Sequence, residues 1–472
     1  MLVCERIIGI DLGVSTSHNA CVIDTATGKV VARRKFVSKP SDLVDLIEIA
    51  RRSLVPDATI GVVMEATAGA WYAPSAWFAR HDIAVYRVST SKAADLRKFF
   101  SRHVKTNTID AETLARLGLL APDSLEPLEF GDAHRAGLDR RCRASHRYTV
   151  QSTNHLIRIR QLLYHLIPRF NLAVTGAFAM SDLALLERWA NPHLLAAVPR
   201  KRLVAFIRKA STGHVNSEDR ADLWLQAARE SVELFGDETG IAFDDVAAEI
   251  ASEIRMWRSC QVELAAHEQA REEHYNIVDP QGLARSLPGI KTAGGPVIVA
   301  ALGRAHRFPT AGQFKNYTGL APKASETGDT DRKGQAMSKA GPRLLRHQLV
   351  MSANTARQID PQLARVYYEQ MTNHGAHHTK AVCVVAAKLA ERAWTVMTRG
   401  TPYVICDVDG IPVDNTTART IITERYHVPQ EIRQRRRSTK ATTRTKPLNE
   451  STIKAKKKNP HQERVNEPAQ VA

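Results

Sequence analysis

Two short apolar runs near the start of the chain each close on a carboxylate: RIIGID at 6–11 and TIGVVME at 59–65. Runs so short and unbroken, rich in Ile and Val, suit strands buried inside a sheet. A strand that ends in an acid carries that acid to the edge of the sheet. The surrounding residues supply the rest of an α/β unit. HNACVIDTATGKVVARRKFV reads as a hairpin turning at Thr25–Gly28. SDLVDLIEIARRSL is an amphipathic helix for which Ser41 is the expected N-cap. IAVYRVS is a third buried strand, after a short helix around Trp77, and TNTIDAETLARLGLLA is a helix. Hairpin first, strand–helix alternation after, predicts a mixed sheet over residues 1–125.

From 126 to 275 the pattern turns helical. Leu156, Ile159, Leu163 and Leu166, then Ile250, Ile254, Trp257 and Leu264, recur at helical spacings. Both seams suit a coiled-coil connector or an internal core, and the spacing alone does not choose between them. Residues 276–428 read as a compact helical domain. It opens on LARSLPGIKTAGGPVIVAALG, a glycine turn between helices that resembles a helix-hairpin-helix. In such a turn Gly289 and Lys291 are the expected contacts to a nucleic-acid phosphate, through backbone N–H and side chain. Residues 429–472 are Arg-, Lys- and Thr-rich and are expected to form a disordered basic tail.

The charge points to a polyanionic partner. The 472 residues carry a formal +17, a surplus most often matched to nucleic acid. From Glu431 to Ala472 there are twelve Lys/Arg against four Asp/Glu, so about half of the surplus is in the tail. The six cysteines are scattered and include no C-x-x-C pair, which argues against a zinc site or a disulfide framework and suits a reducing cytosol. Neither a signal peptide nor an apolar run of about 18 residues is present, so no membrane partner is expected.

Asp11 and Glu65 end strands, and Asp110 lies in the helix of KTNTIDAETL. Carboxylates gathered at one sheet edge repel unless they hold a cation, and Mg²⁺ with phosphate oxygens is the expected occupant. The pattern resembles the ribonuclease-H-like nuclease fold. GIDLG also opens sugar kinases and Hsp70-type ATPases, but the second phosphate loop those folds need is missing. DVDG at Asp407–Gly410 falls too near the C-terminus to serve. His374, His377 and His378 sit in a polar turn without a Cys or acid partner and are expected to face solvent.

GIDLG, MEATAGAWYAP, VKTNTIDAETLARL, SLPGIKTAGG, FKNYTGLAPKASETGDTDRKG and MSKAGPRLLRHQL, in that order, resemble the DEDD transposases of the IS116/IS110/IS902 type, relatives of the Piv invertase. The resemblance covers roughly 1–125 and 280–400. It implies a RuvC-like N-terminal domain, a helical connector and a C-terminal transposase domain. It implies a bacterial, cytoplasmic, nucleoid-associated recombinase. Such an enzyme cuts and rejoins DNA with Mg²⁺, guided by a noncoding bridge RNA, as a dimer or tetramer with shared active sites. The four acids map to Asp11, Glu65, Asn107 and Asp110, and the nucleophilic serine maps to Thr327.

Two positions depart from that pattern. Asn107 replaces an acid; its amide oxygen can still ligate Mg²⁺, with one negative charge fewer. Glu112 is a poor substitute, since two positions along a helix points it away from Asp110. Thr327 replaces Ser and keeps the hydroxyl, with a methyl that crowds attack on phosphorus. Thr327 is otherwise a turn residue bonded to its own backbone. Ser325 and Ser338 are the other candidate nucleophiles, Ser338 being also the expected N-cap of the helix KAGPRLL. Arg332, Lys333 and Lys339 flank the segment, placed to neutralise a phosphate. Two rivals to a working recombinase stand beside it. One is a relic that binds RNA or DNA without cutting, and the other a RuvC-like nuclease that hydrolyses junctions.

Overall fold

The computed structural model describes residues 4–65, 69–88, 93–96, 98, 107–122, 125–128, 130, 132–211, 215–236, 240–323, 326–327, 330–331 and 335–436. The chain forms two compact units, residues 1–133 and 134–472.

The first unit is built on six strands: β1 Arg6–Asp11, β2 His18–Asp24, β3 Val30–Phe36, β4 Ile60–Glu65, β5 Ala84–Val88 and β6 Glu126–Pro127. Their order across the sheet is β3-β2-β1-β4-β5-β6. β1 pairs antiparallel with β2 and parallel with β4, so the expected mixed sheet is present. The hairpin turns where expected: Gly28 takes a positive φ of 67° and the Asp24 carboxylate accepts from the Thr27 N–H at 2.8 Å. Helices α1 (Pro40–Arg51) and α2 (Tyr72–Arg80) cover one face, burying Ile8, Ile10, Met64, Leu46 and Phe78. Helix α3 (Asn107–Leu120) covers the other, burying Ile7, Cys21, Val63, Ala111 and Leu114. Helix α1 begins at Pro40, so Lys39 is its N-cap and Ser41 is already inside the first turn. Proline's fixed φ presets that start one residue ahead of the serine.

The second unit is helical. Its frame is an antiparallel pair of long helices, α4 (Ala133–Leu166) and α9 (Phe243–Val278). Polar contacts tie the pair along its length: Arg141 to His267 at 2.8 Å, Gln261 to Ser152 at 2.6 Å and His155 to Glu253 at 2.5 Å. Between them the chain forms α5 (Met180–Trp189), α6 (Pro192–Ala196), α7 (Arg200–Ser211) and α8 (Ser217–Phe235). The two apolar seams turn inward here. Ile159, Leu163, Leu166, Ile250 and Ile254 are fully buried against α5–α8, around Trp224. Asp182 is buried in this core and accepts from Arg220, from the Trp224 indole at 3.0 Å and from the Ala179 N–H at 2.8 Å.

The remaining helices are α10 (Leu283–Ser286), α11 (Gly294–Leu302), α12 (Ala311–Thr318), α13 (Arg343–Ala356), α14 (Pro361–Thr372), α15 (His378–Arg399), α16 (Asn415–Arg425) and α17 (Gln430–Arg435). Their core runs from Leu138 and Tyr275 of the long pair through Phe314, Leu349 and Leu389. The ordered chain continues past 428, because Val428 is buried and Ile432 packs on the same core. The basic residues from 437 onward lie outside the described residues. His377 N-caps α15 through the Lys380 N–H, and His378 bonds the Tyr367 hydroxyl at 2.8 Å. Those two histidines therefore hold structure instead of facing solvent. Asp407 accepts from the Asp409 and Ile411 N–H groups and only closes a turn. Among the described residues no helix is long and apolar enough to cross a membrane.

Candidate active site

The side-chain alternation of a strand decides where the acids of the first unit point. On β1, Ile7, Gly9 and Asp11 alternate onto the face that carries α3, and Ile8 and Ile10 point the other way. On β4, Val63 lies on the α3 face and so, two residues on, does Glu65. The parallel register sets Ile10 beside Met64, which makes Asp11 and Glu65 neighbours at the ends of adjacent strands. Asp110 sits in the first turn of α3 and is 8% exposed. The three acids thus belong to one end of one face.

Close approach of the helix brings Asp110 there. A Cβ built on Gly9 would stand 2.1 Å from the Ala111 carbonyl oxygen and 2.3 Å from the Ala115 nitrogen. Only a residue without a side chain lets α3 lie on β1 at that distance. Ala111, Ala115 and Gly118 form the matching small-residue stripe on the helix; a Cβ on Gly118 would stand 3.1 Å from Ile7 and Val63. The stripe is visible in the sequence at i, i+4 and i+7, and it marks positioning residues that the strand-end acids alone do not reveal. Asn19 is a second such residue. It pairs directly across from Asp11, shares its face and is buried, so its amide stands beside the carboxylate.

Glu112 is occupied elsewhere. It accepts from Arg33 at 2.6 Å and from Arg116 at 2.7 and 2.9 Å. Burial pushes its pKa up, but the hydrogen bonds from Arg116 and Arg33 outweigh that and hold it below the usual carboxylate value. The Asn107 side chain lies outside the described residues; its backbone opens α3.

Hard oxygen donors on one sheet edge fit a magnesium-type cation by chemistry. Among the described residues no group of three or more His, Cys, Asp or Glu is drawn close enough to hold a metal ion. The site therefore has the donor set in place by element and face, not as a closed cage.

The described residues of 319–341 belong to the second unit and pair as an antiparallel arm instead of running straight into a helix. Its base is zipped antiparallel: the Lys323 N–H donates to the Ala336 carbonyl at 3.0 Å and the Ser338 N–H to the Ala321 carbonyl at 2.9 Å. Nearer the tip β7 (Glu326–Thr327) pairs with β8 (Thr330–Asp331), Thr327 opposite Thr330. Ser338 is thus held by a backbone hydrogen bond in the base of the arm, and α13 starts five positions later behind Pro342. Gly341 fixes that exit, since a Cβ there would stand 1.9 Å from the Tyr317 carbonyl oxygen. Arg346 clamps the base by donating to the Thr318 and Lys339 carbonyls at 3.3 and 3.1 Å. Lys339 is exposed with a positive φ of 54°. The side chain of Thr327, and Ser325, Arg332 and Lys333 altogether, lie outside the described residues. The base of the arm borders a cavity of about 640 Å³ shared with α15, its rim carrying Lys315, Lys380 and Lys388.

Gly289 takes a positive φ of 72°, and a Cβ there would stand 2.4 Å from the Ser352 carbonyl oxygen. Its glycine is explained by packing on α13. Lys291, next to it, is exposed.

Comparison with known proteins agrees with this architecture. Residues 8–168 match a DEDD-type family model described as a transposase, and residues 281–369 match that of the transposase IS116/IS110/IS902 family. Together they span more than half of the chain. The 43.6 kDa protein of insertion element IS110 from Streptomyces coelicolor is 25% identical over 84% of this chain and 95% of its own length. The 44.8 kDa protein of insertion element IS116 from Streptomyces clavuligerus is 22% identical over 83% and 94%. A transposase for insertion sequence element IS1328 from Yersinia enterocolitica is 31% identical over 28% of this chain and 41% of its own length. Two family models in the order and places where the acidic sheet and the helical arm lie, with relatives matched almost end to end, decide the matter: the chain belongs to the IS116/IS110/IS902 family of transposases, which are DNA-binding recombination enzymes.

Proposed function

We propose that the protein is an active insertion-sequence recombinase of the bacterial cytoplasm. It cuts and rejoins DNA by transesterification, and its first unit is a RuvC-like catalytic domain. The observation that supports this reading is the placement of Asp11 and Glu65 at the ends of adjacent strands, with Asp110 in the first turn of the helix that covers that face. Asp11, Glu65 and Asp110 would hold a divalent cation, Mg²⁺ by donor type, with Asn107 as a neutral fourth oxygen. Such a cation supplies Lewis-acid stabilisation of charge developing on a phosphate.

Thr327 acts as the nucleophile. Its hydroxyl oxygen attacks a backbone phosphorus, a P–O bond to Thr327 forms as the P–O bond to the leaving nucleoside breaks, and the proton lost from the hydroxyl ends on the leaving oxygen. One phosphodiester replaces another, so no water is consumed and the link can be rejoined to a second DNA end. Arg332, Lys333 and Lys339 neutralise the phosphate. Gly289 and Lys291, in the turn before α11, and the basic C-terminal residues add contacts along the DNA or RNA backbone. A bridge RNA from the element pairs donor and target, and the acids of one subunit serve the arm of another in a dimer or tetramer.

The test is covalent trapping. Protein, Mg²⁺, RNA transcribed from the flank of the element, and labelled element-end and target DNA are mixed and denatured. A protein–DNA adduct mapped to Thr327 and lost in Asp11→Ala is the expected result. An adduct on Ser325 or Ser338 would move the nucleophile. Cleaved DNA with free ends and no adduct would replace the proposal with a hydrolytic junction nuclease. Bound DNA and RNA with neither cleavage nor adduct would make the chain a binding relic, the reading that Asn107 favours by its missing charge.

A further inference from the structure

Between the long helical pair and α13 lies a second cavity, of about 680 Å³, lined by residues of the second unit only and by none of the arm. Its walls come from four segments, of which three carry polar groups: Ser145 and His146 on α4, Glu268 and Arg271 on α9, and Arg343 and His347 on α13; Ala293 and Val297 at α11 complete the lining. Arg271 is 6% exposed, yet its Nε finds no hydrogen-bond partner among the described residues. The one ion pair described for it is with half-exposed Glu268 at 3.4 Å. Ser145 Oγ, on the α4 wall of the same cavity, is buried and likewise without a hydrogen-bond partner among the described residues. A buried guanidinium left this way is rare in folded proteins unless an acceptor arrives from outside.

The surroundings specify the sign of that acceptor. Arg343, the first residue of α13, lies at the cavity, and the helix opens behind Pro342 with no side-chain cap, so its positive dipole end has no built-in acceptor. The rings of His146 and His347 face one another at 5.9 Å. Burial first, then the charges of His347 and Arg343, hold the His146 pKa below its ordinary value. Among the lining residues two guanidiniums stand against one half-exposed carboxylate, Glu268, while Glu272, which also acts on Arg271, is paired with Arg285.

We propose that this cavity binds a phosphate group of a nucleic-acid strand, with Arg271 and Ser145 as the buried contacts and Arg343 at the entrance. Backbone phosphate matches the guanidinium fork and an open helix N-terminus better than any neutral ligand. The inference rests on the reading of the chain as a nucleic-acid recombinase, and adds a contact on the helical frame made by residues that belong neither to the acid set nor to the arm.

The experiment uses the full chain. Binding of labelled 20-nucleotide single-stranded DNA and RNA is followed by anisotropy across a salt series for wild type, Arg271→Gln, Arg343→Gln and, as a control, Arg365→Gln. Arg365 is paired with Glu369 on α14, away from the cavity. Losing one phosphate contact should flatten the log–log salt slope by roughly 0.7 in each of the first two variants and leave the control unchanged. Exposed Arg343 keeps the test valid if Arg271→Gln does not fold. Thermal melting with inorganic phosphate at constant ionic strength runs in parallel. Unchanged slopes in both variants, with wild type binding the strands, would overturn the proposal. Phosphate that stabilises wild type but not Arg271→Gln, with those slopes unchanged, would assign the cavity to a free anion and also overturn it. A wild type that binds no strand at all would remove the recombinase reading along with this one.

Discussion

Gly9→Ala is the sharpest perturbation that the site offers. The added methyl would start 2.1 Å from the Ala111 carbonyl oxygen. Ordinary contact needs at least about 3.4 Å, so α3 must withdraw from β1 by roughly 1.3 Å, since the obstacle is backbone and cannot rotate away. Overpacking of this kind costs about 1–3 kcal/mol of stability. The larger effect falls on chemistry, because Asp110 rides on the helix that moves while Asp11 and Glu65 stay on the sheet. A misplacement near 1 Å costs about 10²-fold in rate. The assay is DNA strand joining at saturating Mg²⁺, with urea unfolding of the same preparation. Gly69→Ala is the control, since nothing lies within 4 Å of a Cβ there. Joining within about threefold of wild type in Gly9→Ala, with an unchanged midpoint, would refute the claim that close helix–strand approach sets the acid geometry.

Thr327→Val should abolish the covalent adduct while leaving DNA binding intact. Thr327→Ser should keep it, and a rise of tenfold or more would identify the threonine as a decayed serine. Asn107→Asp should lower the half-saturating Mg²⁺ concentration roughly tenfold, equivalent to about 1.4 kcal/mol, read by cation titration of joining. Asp182→Ala strands Arg220 inside the helical core and should cost about 3–5 kcal/mol in urea unfolding. Burial lowers the pKa values of His18, His146 and His378. The unfolded chain therefore binds more protons, and stability should be full above the unfolded histidine value of about 6.5 and fall as pH drops through it. Unfolding midpoints at pH 8 and pH 5.5 check this, with His18→Gln showing the smaller change.

The sheet was legible because its signals are local. Unbroken Ile/Val runs gave β1 and β4, and a glycine turn gave the hairpin. The arm at 319–341 was not, because pairing of Ala321–Lys323 with Ala336–Ser338 is set by chain geometry at long range, and its Thr, Gly and Lys residues show no apolar alternation. Helix starts slipped for a related reason. Ser41 and Ser338 look like caps in one dimension, but Pro40 and a backbone partner at Ala321 outcompete them. The acids were found at the right elements, since strand ends are readable. The glycine that lets the third acid approach them emerges only when helix and strand are seen together.

The long helical pair has one more consequence. Helices of 34 and 36 residues span about 50 Å at 1.5 Å per residue. One end of the pair is anchored in the core around Leu138 and Tyr275, the other in the core around Ile159 and Ile254. Polar rungs between these anchors resist sliding without adding apolar bulk. The pair thus acts as a fixed ruler: removing seven residues from each strand of it would shorten the separation of the two cores by about 10 Å while leaving both intact. Any substrate that must touch both cores at once is measured against that length.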